Sequence, residues 1–476
     1  MVQIHNETRG RIGSLALGLA LVLAPGCTNS QPASPANPGA PASPSAGSQA
    51  GQVISPLSAN DVSWLFPPPK TAADLSRLIA VKDLTVPDPA NPGAQIPAWS
   101  DADFAQFLAL AESPAAQAGG SKIVLPPAAH NKDAWFVAGV RIDAGAPGLD
   151  PAITRVFGQR PQIRLILQPV LTPGGAPQVQ DVTAHLIFDF VVTDTPANLL
   201  ACPLHAAPDL VALKGIVADA AALRDSLAAG QFGGAKVVTA GQPLGVHPGL
   251  ANPTTAPLLT AQMKALLQKR LSPTRLSSMA VMSVPTPGSA PWIFLSMLRD
   301  AQSGRFNPVP GPTLDGLQFA MALTPVGQSP RVTPQPHTNN QAPITCASNI
   351  PFPPPLPAPA PVQARKGVAT ADVFANPALD DATTKAILDR IANPTQSHFF
   401  NTDCVSCHTE TRRAMEGLHV TSAPGLSSSV MPNGPWNVRN FGWSPQIEGP
   451  VQGTVTRRTA NETAAVLAWI NANALK

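Results

Sequence analysis

With 476 residues, 44% of them hydrophobic, the chain is long enough to bury two or three cores, which excludes a generally disordered protein. Only 12% of the residues are charged while proline reaches 56, so long irregular segments must lie beside the folded parts. A net charge of +3 without any lysine or arginine run excludes an electrostatic nucleic-acid binder, and no nucleic-acid partner is expected.

The N-terminus reads as an export signal. Arg9 and Arg11 precede an apolar run from Leu15 to Ala24, which breaks at Pro25-Gly26-Cys27. A charged start, a short apolar stretch and small residues before a cut are the features of a secretory signal, and the run is too short to span a bilayer as a mature helix. The Leu-Ala-Pro-Gly-Cys sequence ending at Cys27 resembles the lipobox of bacterial lipoproteins. That resemblance implies removal of residues 1–26 and acylation of Cys27. It also implies a periplasmic protein lipid-anchored to a membrane, the outer one rather than the inner. Residues 27–58, rich in Pro, Ala, Ser and Gly, follow as a disordered tether.

Residues 59–348 mix strand and helix signals. Ile163, Leu165 and Leu167 alternate with Arg164 and Gln168, and Val182, Ala184, Leu186 and Phe188 alternate with Thr183, His185 and Asp189. Both have the period of a strand with one buried face. Further strands are expected over 134–142, 236–239, 279–284, 293–298 and 317–323. Helices are expected over 101–112, where Ser100 and Asp103 suggest a cap, and over 209–228 and 258–271. Several strands follow one another without an intervening helix, so the pattern predicts an α+β domain with a mostly antiparallel sheet. His185 and Asp189 share one face of their strand; an acid/base pair there competes with the plainer reading of a polar outer sheet face. His130, His205, His247 and His337 lie in loop-like sequence and are expected at the surface. No phosphate-cradling glycine loop, nucleophile elbow or His/Glu metal spacing occurs in this part of the chain.

A Pro-rich run at 351–361 reads as a stiff polyproline spacer, so 349–364 is predicted to link this domain to a second one over 365–476. Five cysteines are distributed between the two and the N-terminus. Apart from Cys27, and from Cys404 with Cys407, which share one short motif, Cys202 and Cys346 remain. In an oxidising compartment two such thiols are expected to pair.

Cys404-Val405-Ser406-Cys407-His408 has the spacing of a c-type haem attachment site. Two thiols three positions apart reach the two vinyl groups of one haem, and the adjacent imidazole reaches the iron from the same side. A zinc site, a redox Cys-x-x-Cys pair and a short-loop disulfide are the other readings. Zinc would need further ligands, for which only His398 and His419 are at hand, and a thioredoxin-like pair would want a βαβ context that is missing.

A helix is predicted over 380–392, stopped at Asn393-Pro394, and another is opened by a capping box at Thr459-Ala460-Asn461-Glu462, with Val466, Leu467, Trp469 and Ile470 as its apolar stripe. Helix, attachment motif, long loop and terminal helix with an aromatic residue together resemble a class I cytochrome c over about residues 365–476. The resemblance implies a small all-α domain holding one covalent haem c, with His408 as the proximal iron ligand. It implies Met431, followed by Pro432, as the distal one, and Pro424 in the loop that orients the proximal histidine. His419 offers a bis-histidine alternative, and an open or water-bound iron is the third. Trp436, Phe441 and Trp443 are expected either against the haem face or in a small core of their own, and Arg439, Arg457 and Arg458 either on the propionates or in solvent.

The expected function is single-electron transfer by a mono-haem protein with an unidentified redox partner. The alternatives are a peroxidase-type enzyme with an open iron, or a ligand-binding or redox-sensing protein with the haem as reporter. The loop offers chiefly apolar and amide side chains over the distal face, which favours a carrier over a catalyst. Peptide mapping without reductant is expected to recover Cys202 joined to Cys346. The bridge closes a loop of well over a hundred residues, so its reduction should cost roughly 4 kcal/mol of stability.

Overall fold

The computed structural model describes residues 55–475, apart from 92, 114–116, 119–120, 123, 147, 152, 155–157, 193–206, 284–291, 301–302, 309–316, 321–379, 398–403, 434–436 and 446–449. Cys27, Cys202, Cys346, His205, His337, His398, Trp436, residues 27–54 of the tether and the polyproline run lie outside the described residues. The last residues read as tether are ordered: Leu57 is buried, with its N–H donating to Asn471 Oδ1 at 2.9 Å, and Ser58 caps a short helix.

The main element is an antiparallel sheet. Its strands are β1 (Ser63–Leu65), β2 (Trp135–Ala146), β3 (Arg160–Leu171), β4 (Gln178–Val179), β5 (Val182–Asp189), β6 (Leu276–Ser283), β7 (Trp292–Arg299), β8 (Phe306–Pro308) and β9 (Leu317–Ala320). The order is β1-β2-β3-β5-β6-β7-β8, with β9 also on β7 and β4 on β3. The helices among these strands are α1 (Asp101–Ala111), α2 (Leu210–Ala228) and α3 (Ala256–Arg270). At α1 the Ser100 hydroxyl accepts from Asp103 N at 3.0 Å, the cap its sequence suggests. The predicted strand over 236–239 is irregular chain. His247, expected at the surface, is buried, and its Nδ1 accepts from Gly249 N at the start of a one-turn helix.

Because residues alternate across a strand, each strand has two chemistries. Ile163, Leu165, Leu186, Phe188, Met279 and Val281 fill one face and join the buried sides of α1, α2 and α3 in a common apolar core. The opposite face carries Arg141, Asp143, Gln162, Arg164, Gln168 and Asp189, all but Arg164 nearly excluded from water. A charged sheet face would ordinarily be left to solvent. Here the C-terminal elements cover it.

Those elements are α4 (Asp381–Ala392), α5 (Cys404–Gly417), β10 (Phe441–Trp443), β11 (Gly453–Val455) and α6 (Arg457–Asn473). β10 and β11 pair antiparallel, so the C-terminal region mixes helix and strand and is not the all-α unit expected from its sequence. α6 begins two residues before the predicted capping box: Thr456 is the N-cap, its hydroxyl accepting from Thr459 N. Glu462, expected to cap, instead reaches the sheet, 3.2 Å from Arg141 and 3.6 Å from Arg164. Arg164 is paired in turn with Asp143 at 2.7 Å, and Arg160 and Gln162 both hold Asp189. Ser63 on β1 meets Thr463 on α6 at 3.1 Å. At the sheet centre Gln168 grips Trp443 twice, accepting from its backbone N at 2.7 Å and donating to its carbonyl at 3.0 Å, while the indole N–H donates to Phe66 O at 2.8 Å. Gly139 lies beneath the Phe441 ring, where any Cβ would come within 2.5 Å of it.

Burial by itself would push the Glu462 carboxyl up, but the Arg141, Arg164 and Arg458 charges outweigh it and hold the group down at about 2, against an ordinary 4.5. A depressed carboxylate stabilises the fold above its unfolded value and loses that contribution as pH falls through the folded one. Urea unfolding is therefore expected to show stability falling between about pH 4.5 and pH 2, and Glu462→Ala, which removes the carboxylate paired with buried Arg141, should cost about 3 kcal/mol at pH 7 and flatten that slope.

Candidate haem site

The attachment motif occupies the first turns of α5. Positions 404 and 407 are three apart on a helix and so lie on one side of it, with His408 immediately after. Cys407 and His408 are half-buried. His408 Nδ1 lies 2.7 Å from Val438 O. A carbonyl oxygen only accepts, so Nδ1 carries the hydrogen and a neutral ring keeps its lone pair on Nε2. Burial lowers the His408 pKa to about 4, opposed by the Val438 bond and assisted by Arg439, so the ring is neutral at pH 7. A neutral imidazole oriented by a carbonyl on its other nitrogen is the form in which histidine binds iron. Two cysteine positions one turn apart on the helix, followed directly by such a ring, suit a c-type haem. The orienting carbonyl is that of Val438 and not of Pro424, which is exposed in a segment pairing with the chain around Leu244.

α5 ends at Gly417, and His419 follows with φ +53°, the only non-glycine left-handed residue among those described. His419 is exposed. At 1.5 Å per residue it lies about 14 Å or more along the axis from His408. Met431 comes after a single 3₁₀ turn (Ser428–Val430) and is buried in the common core. Its carbonyl accepts from Gln452 Nε2 at 3.1 Å, and Arg412 of α5 donates to the carbonyl of Pro432. Met415 sits on α5 itself.

The three arginines read as propionate partners have protein partners. Arg439, wholly buried, pairs with Asp181 at 2.6 Å and places Nη1 3.9 Å from Met282 Sδ, both on the sheet side. Burial raises Asp181 to about 6 in spite of Arg439. Arg457 pairs with Asp389 of α4 at 2.9 Å and Glu410 of α5 at 3.3 Å, while Arg458 donates to Ser397 Oγ. Phe441 and Trp443 meet Gly139, Gln168 and Phe66 of the sheet side, as described above.

Glu410 was not legible as important, yet it organises the helices. It is wholly buried on α5, accepts from Arg458 N at 3.1 Å, and has Thr411 beside it accepting from Arg457 N at 2.8 Å. α5 thus supplies acceptors to the first turn of α6, where the helix dipole favours a negative group. Burial raises the Glu410 pKa, with Arg457 opposing.

On the sheet side stands His185. Its strand pairs it with Ile166 on β3 and Ala280 on β6. Asp189, its proposed acid/base mate, is committed to Arg160 and Gln162. Burial drops the His185 pKa to about 3, and after burial the largest influence on it is the His408 imidazole, ahead of Arg164, Arg141 and Arg439. The two rings are close enough to sense one another. The face that the alternation marks as polar and outward therefore points at the attachment motif. Alternation shows which residues share a face; it carries no sign of what covers them.

No protein-family model, curated protein or solved structure matches the chain. No helix among the described residues is long and apolar enough to cross a membrane.

Glu410→Ala should destabilise the protein by about 3 kcal/mol in urea unfolding, because it removes the buried acceptor of Arg458 N and one of the two carboxylates paired with Arg457. Glu410→Gln, which keeps the acceptor, should lose about 1 kcal/mol.

Proposed function

We propose that the chain is an exported, lipid-anchored mono-haem c-type cytochrome that carries single electrons in the periplasm. The observation that carries the reading is the Cys404-x-x-Cys407-His408 motif on the first turns of α5, with the His408 ring oriented by Val438 O at 2.7 Å. Haem supplies reversible one-electron chemistry at iron, and the protein's part is to bind, orient and shield it. In this reading Cys404 and Cys407 form the thioether bonds and His408 is the proximal ligand, its basicity raised by the Val438 carbonyl. Arg457 of α6, paired with both Glu410 of α5 and Asp389 of α4, fastens the helix that carries this ligand. Met431 and His419 are the loop residues with donor atoms for the sixth position. Occupation of that position favours electron transfer, and an open iron favours peroxide chemistry.

Expression in a host that matures c-type cytochromes tests this directly. Denaturing electrophoresis with a haem stain should show one band, lost in Cys404→Ser/Cys407→Ser. Zinc without haem absorbance in the purified protein would sink the reading.

A further inference from the structure

We infer that His185, on β5 of the sheet, is the second axial ligand of the iron, opposite His408, so that the haem lies between α5 and the sheet. This rests on the covalent-haem reading proposed above.

The position of the imidazole carries the argument. His185 belongs to the sheet face that the C-terminal elements cover, and it lies in a row with Gly139, Ile166, Ala280 and Ser296 on the neighbouring strands. Phe441 closes the Gly139 end of the row. From His185 onward the covering thins: Ile187, Ser278, Ala280 and Ser296 are half-exposed, whereas Met279, Val281 and Leu295 on the other face are buried. A histidine rising beside small side chains leaves a shallow floor on which a flat macrocycle can lie without displacing the core. α5 packs against β9 of the sheet. The loop that orients His408 is pinned there too, because Arg439, next to Val438, reaches Asp181 and Met282. Met282 pairs with Thr183, two positions from His185 on β5. The histidines thus approach from opposite sides, one from the helix and one from the sheet.

The chemistry of the ring agrees. His185 is half-buried and has no hydrogen-bond partner among the described residues, so no hydrogen bond there commits its ring nitrogens. Of the two loop residues, His419 stands at the far end of α5 and Met431 is taken into the apolar core.

The test uses the full-length protein matured with haem. The haem stain first decides whether the group is attached; without it both this inference and the proposed function fall. With it attached, near-infrared magnetic circular dichroism and electron paramagnetic resonance of the ferric protein separate bis-histidine from histidine–methionine ligation without any mutation. We expect a low-spin bis-histidine signature and no sulfur-to-iron charge-transfer band. His185→Ala should convert most of the ferric haem to high spin, and millimolar imidazole should restore the low-spin spectrum, which a purely structural role would not allow. Met431→Ala and His419→Ala should leave the spectrum unchanged. A sulfur charge-transfer band in the parent, its loss in Met431→Ala, or a high-spin parent would overturn the assignment while leaving the covalent haem intact. If His185→Ala fails to mature, a bis-histidine parent spectrum that His419→Ala leaves unchanged still supports the assignment, and one that His419→Ala converts to high spin overturns it.

Discussion

The fold depends on giving counter-charges to a sheet face that cannot be left dry and unpaired. Arg141, Arg164, Arg160, Asp143 and Asp189 project from the central strands on the side opposite the α1–α3 core. A buried ion whose partner is removed costs several kcal/mol, so any element covering this face must bring complementary groups with it. α6 does so with Glu462 and Thr463, and β10 does so through the Trp443 backbone held by Gln168. The covering is therefore specific in register: sliding α6 by one turn would bring either Arg458 or Val466 to the place of Glu462 and leave the carboxylate without its guanidinium partners. This requirement joins residues far apart in the chain, Leu57 to Asn471 among them, into one compact unit.

The elements with strong local signals were readable from sequence. α1 with its Ser100 cap, α2, β3, β5 and α4 fall within a few residues of the expected bounds, because alternation and capping are local properties. The misreadings have one cause. The N-cap shifted from Thr459 to Thr456 because both are threonines followed by suitable residues, and Glu462 was drawn away by two arginines more than three hundred residues distant in one case. β10 and β11 are three residues each, too short for a periodic pattern, and form where Phe441 and Trp443 of β10 find the sheet. Val438 was invisible in principle, since what it contributes is a backbone carbonyl. His185 was visible as a member of a face, and the identity of its neighbour was not.

The attachment motif stands somewhat apart from this. On the proposed reading its spacing is a covalent requirement of haem and is independent of tertiary context, which is why five residues carry so much of that reading. What tertiary structure adds is the tautomer and orientation of His408 and the surroundings of its ring. Each of Arg439, Arg457 and Arg458 has a partner on another element, Asp181, Asp389 with Glu410, and Ser397 respectively. They act as fasteners between α4, α5, α6 and the sheet.

Those fasteners also set an electrostatic field. Arg141, Arg164 and Arg439 all act on His185 strongly enough to lower its proton affinity, and Arg439 acts likewise on His408. The same positive potential would disfavour the extra charge of ferric relative to ferrous iron and so raise the potential of a haem placed between the two rings. Two imidazole ligands work in the opposite direction, since histidine favours ferric iron more than a thioether does. Glu462 and Asp181 supply the opposing negative charges, and neutralising either carboxylate leaves the arginine field less balanced. On the proposed reading, the ionic network that seats α6 on the sheet is also the lever that tunes the iron, so changes at Glu462 should move the haem's potential upward while leaving its ligands in place.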